Sequence, residues 1–254
     1  MERGSYTAAS LGLFQHRKLE IVNNNLANLS TPGFKREVLV GDTQPFEDTL
    51  ASEIASNDPY ARGDHDQSPA VINLRSVTDF SQGPIRNTGN PLDAALASPN
   101  DFFVVGGPGG LQYTRAGAFT LNSQGELVTP DGAPVQGDGG AIAVTGVGAE
   151  ITENGGVRVN GAEVGRLQVV TIADPSKLER VGNTRFVLAK GTPPPEQVEP
   201  KLLSRSLEMA NVSTIGSVVD LMTTSRAFDL YTKAAQSIDQ LNQSAINQVG
   251  RRSA

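Results

Sequence analysis

The sequence contains no cysteine and no tryptophan, and aromatic residues make up only 5% of it. Without cysteine there is no disulfide, no thiolate metal site and no cysteine nucleophile. Histidine occurs only twice, as His16 and His65, which leaves little for imidazole catalysis or metal ligation. No run approaches the roughly 18 apolar residues of a membrane span. The opening stretch MERGSYTAASLGLFQHRKLE lacks the basic segment, unbroken apolar core and small-residue cleavage site of a secretory signal. Such a chain is expected in the cytoplasm, or outside it by a route that cleaves no such signal. A cationic field is missing too: the net charge is −6, and lysines and arginines are scattered, with no more than adjacent pairs such as Arg251 and Arg252. Nucleic acid is therefore not an expected partner.

What is present is enough for a folded body. A chain of 254 residues with 38% hydrophobic and 19% charged residues can bury a real core. Glycine divides it sharply, with sixteen of the 27 glycines lying between Gly106 and Gly165. Ser217 to Val249 has neither glycine nor proline, and Ser5 to Thr31 has only Gly12. Both ends are therefore expected to be helical and the middle turn-rich. Leu19, Val22, Leu26 and Leu29 form an apolar stripe, preceded by Tyr6, Ala9, Leu13 and His16 on a slightly shifted phase. Leu221, Thr224, Phe228, Tyr231, Ala235, Ile238, Asn242, Ala245 and Val249 step by three and four, with Ile215, Val218 and Met222 extending the surface upstream and Ser213 placed as N-cap. Helices of this kind need partners, either each other or copies in neighbouring subunits.

Between the ends, Gly41 to Asn73 is polar and weakly patterned, an expected connector. From about Val77, short β-like runs (FFVV, LQYTR, AFTL, ELVT, AIAVTG, VRVNGAEV, LQVVTI, FVLA) alternate with turn signals such as GGPGG, NSQG and PDG, which predicts antiparallel sheet. KGTPPPEQVEP closes the region as an extended exit. The expected fold is α+β: long N- and C-terminal helices packed together as a coiled-coil-like core domain, with a central antiparallel all-β domain. The expected boundaries are 1–36 for the first helix, 37–76 for the connector, 77–200 for the β-rich domain and 201–254 for the last helix.

Three features invite an enzymatic reading, and each has a plainer one. GGPGG at Gly106–Gly110 could cradle phosphate only if it led into a helix; Leu111 to Thr114 continue as strand, so a hairpin loop is expected. Asp64, His65 and Asp66 are adjacent, so on an extended chain at most two share a face, and a solvated linker is the better reading. His16 sits in a helix stripe and is expected to pack there. No GxSxG occurs, and Asn211–Val212–Ser213 matches a glycosylation pattern while continuing apolar spacing into the helix. No catalytic, cofactor or metal site is expected. What remains is an assembly subunit whose helix stripes are the adhesive.

Three ordered motifs then carry a resemblance over nearly the whole chain. Asn24–Asn25–Leu26–Ala27–Asn28–Leu29–Ser30–Thr31–Pro32–Gly33–Phe34–Lys35 resembles the N-terminal signature of the flagellar basal-body rod and hook family. Leu207 to Gln243 is similar to that family's C-terminal helix, with Glu208, Asn211, Val212, Met222, Arg226, Ala227, Phe228 and Asp229 at matching positions. SQGPIRNTGNPLDAAL, DFFVV and YTRAGAFTLNSQGELVTPDGAPVQG match in the middle. Two departures stand out: the usual acidic residue after Asn211–Val212 is absent, and Ser10–Leu11–Gly12 reorders a common triplet. Length and the Tyr6–Thr7–Ala8 opening are most similar to proximal-rod members, with the distal rod as alternative. The resemblance implies a non-enzymatic axial subunit, exported through the flagellar type III apparatus, polymerising with other rod subunits and with copies of itself in a helical tube. That tube would lie in the basal body, cross the periplasm and carry torque from motor to hook. A different class, a carbohydrate-binding or enzymatic β domain, would instead keep its activity in Val77 to Glu199. A secreted adhesin or tail-fibre subunit would polymerise without flagellar neighbours.

On this reading the subunit interface is expected at Leu13, Leu19, Val22, Asn24, Asn25, Leu26, Asn28, Leu29 and Phe34 at one end. At the other it is expected at Val218, Leu221, Met222, Arg226, Phe228, Tyr231 and Ile238. The asparagines share a flank beside the leucine seam, where uncharged amides suit a packed contact. Pro32–Gly33 is expected to form a type II turn after which Phe34 docks.

Overall fold

A computed structural model describes residues 2–44, 71–146 and 148–252 of the chain, with the side chains of residues 12–41, 74–146, 148–237, 240 and 244. The described residues fall into two compact units, one within 1–24, 37–77 and 215–254, the other formed by Asn25–Arg36 and Thr78–Thr214.

The first unit holds the two terminal helices, α1 (Glu2–Ala27) and α2 (Thr214–Arg252). At 26 and 39 residues, they run about 39 and 58 Å at 1.5 Å per residue. They pack together as their stripes require. Ile21 and Val22 of α1 and Thr224 of α2 are buried, and His16 lies against Phe228 with ring centroids 6.1 Å apart. His16 is thus a packing residue, with Nδ1 3.7 Å from Glu20 of its own helix. α2 starts directly after Ser213, the expected cap position.

Thr224 Oγ1 is buried without a hydrogen-bond partner among the described residues. A hydroxyl taken from water without compensation destabilises the fold. Thr224→Val, which keeps the shape, is expected to stabilise the helix pair by about 1 kcal/mol, read from urea unfolding of the helical circular dichroism; a loss of stability would show that the hydroxyl is satisfied.

In the same unit β1 (Glu37–Gln44) and β2 (Val71–Thr78) pair as a two-stranded sheet. The expected connector therefore has strands at both of its ends. Asp64, His65 and Asp66 lie outside the described residues.

The second unit is antiparallel sheet. After β3 (Ile85–Asn87) and β4 (Ala94–Leu96) come β5 (Asp101–Gly107) and β6 (Gly110–Thr114), joined by Pro108–Gly109, so GGPGG is a hairpin loop. In the six-stranded sheet, β5 is flanked by β6 and the strand Val169–Thr171, with Arg185–Leu188 and Leu178–Arg180 beyond β6 and Glu196–Val198 beyond Val169–Thr171. The unbroken apolar run of β5 follows from burial on both faces. Phe103 and Val105 enter one core with Phe119, Leu127, Val157 and Val169, while Phe102 and Val104 enter another with Tyr113, Ile172 and Phe186. Val157 lies in a three-stranded sheet of Ala149–Ile151, Gly156–Val159 and Ala162–Arg166.

Two strands occupy the start of the stretch 201–254 expected as the last helix, which begins only at Thr214. Leu202–Ser204 pairs with β4 and Ser206–Glu208 with β3. Arg205 between them adopts φ 56°, a left-handed bend that splits one run into two short strands.

Candidate functional site

Two regions gather the motif residues: a charged junction in the β unit, and the faces of the terminal helices.

The junction begins where α1 stops. After Ala27 the backbone bonds shorten to i+3 steps, from Leu29 to Leu26 and from Thr31 to Asn28. Helix thus ends at Ala27, short of the expected bound at residue 36, with Asn28 accepting a hydrogen bond from Thr31 Oγ1 at 3.3 Å. Such local bonding is why asparagine and threonine favour helix ends. The Phe34 N–H then donates to Thr31 O, with Pro32 and Gly33 between them and Gly33 at φ 70°, the expected type II turn. Phe34 docks completely, at 0% exposure. Arg180 lies between Phe34 and Phe186, 5.1 and 5.2 Å from the ring centroids, and donates to Lys35 O.

Gly33 is fixed by space as well as by its backbone angle. A Cβ there would lie 2.2 Å from Ala116 N. Gly33→Ala is expected to destabilise the β unit by at least about 2 kcal/mol, through both the positive φ and the clash. Thermal unfolding followed by near-ultraviolet circular dichroism checks this, and an unchanged midpoint would refute it.

Beside the turn, three charged side chains are buried together. Lys35 and Arg115 are each 1% exposed, as is Glu208. Glu208 Oε1 accepts from Lys35 Nζ at 2.7 Å and from the Gly83 N–H at 2.9 Å; its Oε2 accepts from Arg115 Nε at 2.9 Å and Nη2 at 2.6 Å. One anion therefore serves two cations. Backbone carbonyls disperse the remaining positive charge, Ser81 for Lys35 at 2.6 Å and Ser98, Pro99 and Asp101 for Arg115 at 2.6 to 3.1 Å. Burial pushes the Lys35 ammonium below the ordinary lysine range, although Glu208 opposes that shift. Next to it Arg36 Nε pairs with Asp79 Oδ2 at 2.8 Å. Burial alone would raise the Asp79 carboxyl, but hydrogen bonds from Ser81 and Arg36 hold it below its ordinary value.

Asn211 stitches the same segments. Its Oδ1 accepts from the Arg36 N–H at 2.7 Å, and its Nδ2 donates to Asp79 O at 2.8 Å and Ser81 O at 3.1 Å. The donors of Arg115 and the acceptors of Glu208 are thus taken up by the chain itself, and the chemistry of this place is that of a fastening. Nothing local in the sequence marks Arg115 as part of it. The one available signal is that Lys35, Glu208 and Asn211 all stand inside the terminal motifs and Arg115 inside the middle one.

The expected interface residues divide by exposure. In α1 and the turns after it, Val22, Asn25, Asn28 and Phe34 are buried within the chain; Leu19, Leu26 and Leu29 are partly buried; Leu13 and Asn24 are exposed. In α2, Val218, Leu221, Phe228 and Tyr231 are partly buried, and Met222 and Arg226 are exposed. The Ile238 side chain lies outside the described set. Ile215, Val219, Met222 and Leu230 are 81%, 53%, 56% and 67% exposed. At about 100° per residue these four share one stripe, roughly opposite the face centred on Leu221, Thr224 and Phe228. α2 therefore carries large apolar side chains on two opposite faces, one turned to α1 and one open, the open one shared with Arg226. Val219 and Leu230 were legible only from that second periodicity. Among the described residues no helix is long and apolar enough to cross a membrane.

Comparison with known proteins follows the same motifs. Residues 14–35 match the family described as flagella basal body rod protein, residues 98–164 the flagellar hook protein FlgE/F/G D1 domain, and residues 203–248 the flagellar basal body rod FlgEFG protein C-terminal region. The flagellar basal-body rod protein FlgF of Caulobacter vibrioides is 30% identical over 254 residues, covering 99% of each chain. FlgF of Escherichia coli is 30% identical over 94% of this chain and 95% of its own. FlgG of Caulobacter vibrioides is 29% identical over 93% of this chain and 95% of its own.

Proposed function

Because the chain belongs to the FlgEFG family of flagellar basal-body rod proteins, we propose that it polymerises into the rod through the open apolar face of α2. As a family member it is a structural, non-enzymatic rod subunit of the basal body, similar to FlgF and FlgG. The observation that carries the proposal is the stripe of Ile215, Val219, Met222 and Leu230, four large apolar side chains exposed along one side of a long helix whose other side is already used. Such a stripe is a docking surface for another helix of the same kind. The occupant is a second copy of this chain or a neighbouring rod subunit, and repetition gives a helical tube. Burial of each leucine-sized side chain contributes about 1.5–3 kcal/mol, so many neighbours make the tube stiff enough to carry torque to the hook. Leu13, Asn24 and Arg226, also exposed, belong to the same interface. Its core domain is the helix-bearing unit within 1–24, 37–77 and 215–254, and its β domain is formed by Asn25–Arg36 and Thr78–Thr214. The chain reaches the periplasm through the flagellar export apparatus.

Within the rod, full-length similarity to FlgF supports the proximal position. Immunogold labelling of purified basal bodies checks this: label at the motor end is the expected result. Label next to the hook would assign the distal position, and label outside the rod would overturn the function itself.

A further inference from the structure

Glu208 stands late in the chain, and all that its carboxylate holds stands early. Lys35, Gly83 and Arg115 precede it by 173, 125 and 93 residues. Its backbone takes part as well, since the Gly33 N–H donates to Glu208 O at 2.8 Å. Until Glu208 is in place, closing the turn would bring Lys35 beside Arg115 in a buried site with no anion between them. Unpaired buried cations are strongly unfavourable. Asn211, three residues further on, binds Arg36, Asp79 and Ser81, the same early segments. Apolar packing of Phe34 is available without either residue, but burying Lys35 is not.

We infer that Glu208 is a completion latch: the strap Gly33–Arg36 and the loop Asp79–Gly83 close over the β unit only after the strand Ser206–Glu208 has joined β3 and brought its carboxylate between Lys35 and Arg115. Ordering of the N-terminal strap is thereby made conditional on the arrival of the C-terminal strand. A chain lacking that strand keeps its strap open, whatever the state of the sheet strands that precede it. The latch acts inside the β unit and stands independently of how subunits associate.

The test is amide hydrogen exchange on the full-length chain. In Glu208→Gln the amides of Gly33 and Gly83 are expected to exchange at least about tenfold faster than in the parent, while those of Phe103, Val105 and Val169 keep their protection. Adding Lys35→Met to Glu208→Gln removes the cation that needs the anion, and is expected to restore most of the protection at Gly33. Unchanged protection of Gly33 in Glu208→Gln would overturn the latch, because packing alone would then hold the strap. If Glu208→Gln loses all protection, the double variant decides: recovery of the sheet and of Gly33 together supports the latch, and failure of Gly33 to recover overturns it.

Discussion

Replacing Glu208 with leucine is expected to destabilise the β unit by about 3–5 kcal/mol. The substituted side chain is close in size and apolar, so loss of packing is a small part of that figure. The main cost is electrostatic. Lys35 and Arg115, both buried, lose the carboxylate that lies 2.7 Å from one and 2.6 Å from the other. The carbonyls of Ser81, Ser98, Pro99 and Asp101 remain, yet neutral dipoles do not replace a counter-charge. The triple replacement Lys35→Met, Arg115→Leu and Glu208→Leu is expected to recover most of the loss, because an apolar cluster of similar volume avoids desolvating any charge. With no tryptophan in the chain, near-ultraviolet circular dichroism from buried Tyr113 reports urea unfolding of this unit. A single variant within about 1 kcal/mol of the parent would show that water already reaches the charges.

The second large effect separates assembly from folding. Ile215→Asp with Met222→Asp is expected to leave stability of the isolated chain within about 0.5 kcal/mol, since both side chains already face solvent. Rod assembly is expected to fall by at least about 100-fold, because each interface would then have to bury two unpaired carboxylates. Swimming in soft agar and rods counted in purified basal bodies measure the second effect, and thermal unfolding of the helical signal the first. Phe228→Asp provides the contrast: it strikes the face turned to α1, against His16, and is expected to lower helix-pair stability directly. Normal rods in the double variant would sink the proposed interface.

The elements with strong period were legible in the sequence. Both terminal helices, the Gly106–Gly110 hairpin and the turn at Pro32–Gly33 follow from spacing and from glycine and proline placement. The charged junction was not, for a physical reason. Periodicity treats Lys35, Arg115 and Glu208 as solvent-facing, and only closure of segments 93 and 173 residues apart makes them neighbours. The strands Leu202–Ser204 and Ser206–Glu208 are three residues each, too short to alternate visibly. Asparagines 25 and 28 were readable as a polar flank beside leucines, but the sequence does not say that the chain itself covers them.

The bond from the Gly33 N–H to Glu208 O, and the one from the Asp79 N–H to Arg36 O at 2.9 Å, are doorways. At each, the chain leaves and later returns to the same spot, so whatever lies between is an excursion whose ends are already pinned. Lengthening a pinned excursion costs little, about 0.6 kcal/mol per doubling for a flexible loop. Insertions, deletions or whole replacement modules between residues 36 and 79 can therefore be accommodated without moving either doorway. The architecture is modular at those two thresholds, and a lineage can redesign what passes through them while its framework stays as it is.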